Sequence, residues 1–243
     1  MSRLPGTMPM DPRDWLVVDD AFAGQMALRD ALLTDHRPLV LQQSEGAAPA
    51  SGELLGAVLD FLRNQPGYNV GRDRVQRPDG VDVGLLQTDP LLIAARLVQE
   101  DLCIMQDIAG QHVLTAAALC FPSSWTLSEK FMRPLIDIHD VVDSYDSGIA
   151  RRVQRLFDGI RPENPMWRAN YHPYEDPDLF APRAVGNTRP PVLAPAPYMR
   201  SERQTLMRLP KTRAVVFSIH TYMVEWQNLT PDQQAGLVRQ TGG

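Results

Sequence analysis

Two cysteines, Cys103 and Cys120, are all that 243 residues contain. That scarcity excludes a disulfide framework, a four-thiolate iron–sulfur site and the CxxCH motif. No apolar run approaches the about 18 residues that span a bilayer. The start MSRLPGTMPMDPRD lacks the basic cluster and apolar stretch of a signal peptide. No membrane association is expected, and the expected compartment is the cytoplasm. Positive charge is also short, with 24 Lys and Arg against 29 Asp and Glu and a net charge of −5. A basic face that tracks phosphate backbones is therefore not expected, nor is a nucleic-acid partner. Neither a phosphate-loop spacing nor a dinucleotide glycine fingerprint occurs. What is abundant is apolar side chain, at 44% of the sequence, enough for one sizeable core and a single domain over residues 1–243.

Periodicity supplies the elements. After proline-rich punctuation, Asp19 or Asp20 caps a helix carrying Phe22, Met26 and Leu33 at helical spacing, with Arg29 expected to snorkel at its rim. A polar, alanine-rich loop over 44–52 leads into a helix over 53–63, and the Gly-, Arg- and Asp-rich stretch 67–83 is expected to be irregular. Pro90 opens a helix that runs to about Glu100. Residues 102–108 and 112–121, separated by Ala109 and Gly110, predict a hairpin, with His112 in its turn. Ala116 and Ala118 share one strand face, where close helix packing explains them slightly better than a flat ligand does. The clearest helix covers 147–160, with Ile149, Val153, Leu156, Phe157 and Ile160 on one face and Arg151, Arg152 and Arg155 on the other. Residues 168–174 predict a short strand and 180–197 a proline-rich loop. Residues 214–225 predict a central strand on which Ser218, His220 and Tyr222 share a face, and the tail ends in a helix. The order is α+β with an antiparallel sheet.

Two constellations stand out. Of five histidines, His36 and His172 read as surface residues next to prolines, whereas His139 ends an apolar run and is flanked by Asp137 and Asp140. Either carboxylate could orient its second ring nitrogen, the setting a metal-ligating imidazole wants, although from spacing alone a satisfied core or turn histidine is the better explanation. His220, in a buried strand with Tyr222, carries the same two readings. Arginines crowd the last third at Arg168, Arg200, Arg203, Arg208 and Arg213, next to Asn170, Glu202 and Gln204. They suit either the carboxylates of a ligand or the protein's own.

The segments HVLTAAALCFPSSWTLSEK, RPLIDIH, PMWRANY, RSERQTLMRLPKT and AVVFSIHTY resemble those of the haem-dependent oxidative N-demethylase family, and the likeness runs nearly end to end. After the histidine this chain has HDVVD where the family pattern carries HxPVP, and Phe131-Met132 stands in place of a glycine-containing turn. The resemblance implies a PAS-like antiparallel sheet with surrounding helices that holds haem b without covalent bonds. It also implies a monooxygenase that uses O2 to demethylate a small secondary amine of the dimethylamine type and releases formaldehyde. His139 is then the axial iron ligand, with Arg168, Asn170, Arg200, Arg203, Gln204 and His220 binding the cofactor. Glu202 or Tyr222 would receive the substrate ammonium. No flavin or iron–sulfur cluster fits this chain, so a separate reductase or ferredoxin is implied, in a homo- or hetero-oligomer. The competing reading is a haem-binding PAS-like sensor or a non-catalytic subunit.

Overall fold

The computed structural model describes residues 6–139, 147–184, 186–187, 190 and 192–241, without the side chains of 136, 139, 147–152 and 239–241. In chain order the elements are β1 (Met8–Pro9), α1 (Phe22–Asp35), α2 (Arg37–Val40), β2 (Leu41–Gln43), α3 (Ala48–Leu62), β3 (Asn69–Val70), β4 (Arg74–Gln76) and β5 (Asp82–Gly84). They continue with α4 (Pro90–Ala95), β6 (Asp101–Ile108), β7 (Gln111–Ala118), α5 (Leu127–Lys130), α6 (Leu135–His139), α7 (Ser147–Gly159), β8 (Met166–Tyr174), β9 (Tyr198–Arg208), β10 (Val215–Glu225) and α8 (Pro231–Thr241). The class is α+β. Seven strands form one antiparallel sheet in the order β1-β8-β9-β10-β6-β7-β2, and β3, β4 and β5 form a small second sheet.

Period-two alternation gives the large sheet two different faces. On the back, Leu102, Ile104, Ala116, Ala118 and Val216 pack against Leu32 and Leu33 of α1, Leu54 and Val58 of α3 and Leu91 of α4. The small side chains of Ala116 and Ala118 let these helices approach, so the packing explanation holds. On the front, Cys103, Met105, Ala117, Leu206, Val215 and Phe217 meet Leu127 of α5, Leu135 and Ile138 of α6 and Phe157 of α7. The adjacent half of this front face, on β8 and β9, is polar.

Several local expectations need correcting. Arg29 is not at a rim but fully buried: its Nη2 donates to Gln99 O at 2.5 Å and to Asp101 Oδ1 at 2.9 Å, and its guanidinium lies 4.7 Å over Phe121. Residues 67–83 are an irregular, mostly exposed excursion only in part: the short strands β3, β4 and β5 cross it, and the wholly buried Val75 and Val83 anchor this small sheet to the main core. Helix α3 starts at Ala48, taking in half of the expected loop, since Ala50 and Ser51 are buried beneath it. Helix α4 ends at Ala95, short of Glu100, which is needed elsewhere. His112 lies in β7 and is buried against Phe157, while Ala109 and Gly110 make the turn with positive φ. His172 sits in β8, not in a turn. Strand β9, which no periodicity announces, is 11 residues long because alternating Arg and Glu are buried on its front. Arg155 is exposed on α7, while the side chains of Arg151 and Arg152 lie outside the described residues. Among the described residues no helix is long and apolar enough to cross a membrane.

Candidate functional site

The register of β8 on β9 sets Arg168 opposite Gln204, Asn170 opposite Glu202 and His172 opposite Arg200. Alternation puts all six on the front face, beyond the apolar Met166 and Leu206. Glu202 is the centre of this cluster. Its Oε1 accepts from Arg200 Nε at 3.2 Å, and its Oε2 accepts from Gln204 Nε2 at 3.0 Å and Asn170 Nδ2 at 3.3 Å. Asn170 Oδ1 in turn accepts from the Glu202 backbone N–H. Glu202 and Gln204 are buried, and Arg200 is only 1% exposed.

The two arginines of the cluster differ in what they leave free. Arg200 spends its head on the fold: Nη2 donates to Phe121 O at 2.5 Å and Nη1 to Leu179 O at 3.3 Å, next to the Tyr174 ring. It ties the loops after β7 and β8 to the sheet. Arg168 donates from Nε to Gln204 Oε1 at 2.7 Å, and no described residue accepts from its terminal nitrogens. Burial pushes its pKa down, with the Glu202 charge opposing. A half-buried guanidinium of this kind wants an anion. His172 stands at the accessible end of the row, without a hydrogen bond to any described residue. Desolvation lowers its pKa, with Glu202 opposing. It is the residue sequence reading missed, and the alternation Arg168, Asn170, His172 was the available signal.

His220, Arg203 and Tyr222 are on the back face, separated from this cluster by the sheet. Arg203 donates to Trp15 O at 3.0 Å and Asp14 O at 2.5 Å and lies over Trp167. The fully buried His220 ring has Nδ1 3.0 Å from Glu100 Oε1 and Nε2 3.1 Å from Asp19 Oδ2. Carboxylates only accept, so both nitrogens carry protons and neither has a lone pair to give a metal. Burial opposes this charge, yet Asp19 and Glu100 hold the pKa up at about 9. Tyr222, 4.6 Å from that ring, lines an apolar concavity of about 430 Å³ with Tyr171, Met199, Val224, Leu229 and Leu237. Its pKa is raised by burial.

Of the nine sequence-derived site residues, the fold thus gathers Arg168, Asn170, Arg200, Glu202 and Gln204 and places Arg203, His220 and Tyr222 elsewhere. His139 closes α6, a helix whose Leu135 and Ile138 pack into the front-face cluster, and its side chain lies outside the described residues. The donor set fits the edge of an anionic cofactor: a guanidinium whose terminal nitrogens have no partner among the described residues, beside a buried carboxylate, facing the side of the sheet on which α6 sits. The family model described as haem-dependent oxidative N-demethylase, alpha subunit-like, matches residues 6–240.

Proposed function

We propose, for a chain that belongs to the haem-dependent oxidative N-demethylase alpha-subunit-like family, that the front face binds haem b and demethylates a small secondary amine of the dimethylamine type. The observation that carries the reading is the buried Glu202 carboxylate beside an Arg168 guanidinium whose terminal nitrogens have no partner among the described residues, on the face against which α6, ending at His139, packs. The fold is read as one PAS-like domain over residues 1–243.

In this reading His139 would supply a nitrogen ligand to the haem iron and Arg168 would pair with a propionate. Arg200 braces the loops that border the pocket. Asn170, Gln204 and Arg200 hold the Glu202 carboxylate in one orientation, so that it can receive a substrate ammonium by charge. When bound, the haem supplies the redox chemistry that activates O2. Overall, one N-methyl amine, one dioxygen, two electrons and two protons give the demethylated amine, one formaldehyde and one water, with both electrons drawn from a separate reductase or ferredoxin. Arg203, His220 and Tyr222 are left out of the pocket here, since their partners lie on the back face.

The test is reconstitution of the purified chain with hemin. A Soret band that is retained in His220→Ala and lost or shifted in His139→Ala supports the ligand assignment. Formaldehyde formed from dimethylamine, O2 and a supplied reductase supports the activity. Hemin binding without formaldehyde would favour a sensor or a non-catalytic subunit, and failure to bind hemin would remove the proposal.

A further inference from the structure

The segment of residues 10–19 runs over the back of the sheet as a strap. Met10, Trp15 and Leu16 bury apolar surface in the main core, with Trp15 edge-on to Phe61, and polar fastenings are added to these. Trp15 Nε1 donates to Ser218 Oγ at 3.1 Å, and Arg203 donates to the carbonyls of Asp14 and Trp15. Val17 N donates to Glu100 Oε1 at 2.8 Å, while Asp19 accepts from Gln99 Nε2 at 2.7 Å. The link that differs in kind is His220, whose ring bridges one carboxylate on the strap and one at the start of β6.

We propose that Asp19, His220 and Glu100 form a charged latch that fastens the strap to the sheet and releases it when the imidazolium loses a proton. Geometry requires the charge. Two acceptor-only groups flank the two ring nitrogens, so a neutral ring would set a lone pair against a carboxylate on one side. Asp19 is the side that yields: its side chain is 17% exposed, whereas Glu100 is at 1%.

The other charges near the ring act in both directions. Arg203 lies across from His220 in the β9 register and, as a like charge, opposes its protonation, so the two hydrogen-bonded carboxylates carry it. The Arg29–Asp101 ion pair lies beyond Glu100, whose charge acts on Arg29. Tyr222 packs on the ring and is neutral, so it brings no competing charge. One Glu100 oxygen, Oε2, is buried without a partner among the described residues, so that carboxylate depends on the imidazolium and on the Val17 N–H for its compensation. Release would uncover Trp15, Ser218 and the Trp167 ring, a surface on the opposite side of the sheet from the proposed haem pocket. The latch does not depend on that pocket's being correct.

The test uses the full chain labelled with 15N-histidine, together with hydrogen exchange over residues 10–19. Two protonated ring nitrogens on His220 at pH 7 are expected. Protection of the strap, corrected for the intrinsic pH dependence of exchange, should fall by about tenfold or more between pH 7 and 10. His220→Arg, which keeps the cation, should remain protected at pH 10, and Asp19→Asn should exchange fast at both pH values. A single ring proton at pH 7, or an Asp19→Asn strap as protected as the parent's, would overturn the latch. Should His220→Arg fail to fold, the ring titration and Asp19→Asn decide alone.

Discussion

Glu202 and Arg203 are neighbours in β9 and face opposite sides of the sheet. Glu202 gathers Arg200, Asn170 and Gln204 on the front, and Arg203 ties the carbonyls of Asp14 and Trp15 on the back. Their substitutions should therefore separate binding from stability. Glu202→Gln keeps the volume but offers an amide to the amide donors of Asn170 and Gln204, so amine affinity should fall about tenfold. Arg203→Lys should leave amine affinity unchanged and cost about 1–3 kcal/mol of stability. Amine titrations and urea melts on both variants check this.

Arg168→Ala should cost less than about 1 kcal/mol of stability, because Gln204 is its only hydrogen-bond partner among the described residues. It should nevertheless weaken hemin binding. The measurement is titration with hemin and with its dimethyl ester: the variant should lose affinity for the acid and bind the ester like the parent. Equal losses for both would mean that Arg168 does not pair with a propionate.

Asp101→Asn removes the counter-charge of a fully buried guanidinium whose Nε and Nη1 already lack hydrogen-bond partners among the described residues. It should destabilise the chain by about 3–5 kcal/mol, whereas Arg29→Met with Asp101→Asn should recover much of that loss. Chemical denaturation of the three variants tests the difference.

Stability should fall on the alkaline side. The His220 pKa is raised from 6.5 to about 9, so its contribution is complete below 6.5, shrinks as pH rises from there and is gone above about 9. The Asp19 pKa is lowered from 3.8, against burial, by His220 and Gln99. Its contribution is present above 3.8 and lost as pH falls. A plateau between about pH 4 and 6.5 is expected, with an alkaline limb of at most about 1.4 kcal/mol per pH unit. That limb should flatten in His220→Arg, and urea midpoints across the range would reveal it.

Sequence by itself determined the α+β class, the β6–β7 hairpin, α7 and the central position of β10, since burial against one partner face imprints a period on the side chains. It also singled out Arg168, Asn170, Arg200, Glu202 and Gln204 before any strand pairing was known. It missed β9 and misread Arg29 because buried charges mimic a surface pattern, and only their partners, 72 residues away for Asp101 and 79 for the Phe121 carbonyl on Arg200, reveal the burial. Which side of the sheet each candidate faces was likewise a tertiary decision. Within a strand, alternation relates His220 to Tyr222, but only the β9–β10 register relates either of them to Glu202. That register divides one apparent cluster of residues between the two faces of the sheet, because adjacent strand residues point apart while distant ones meet.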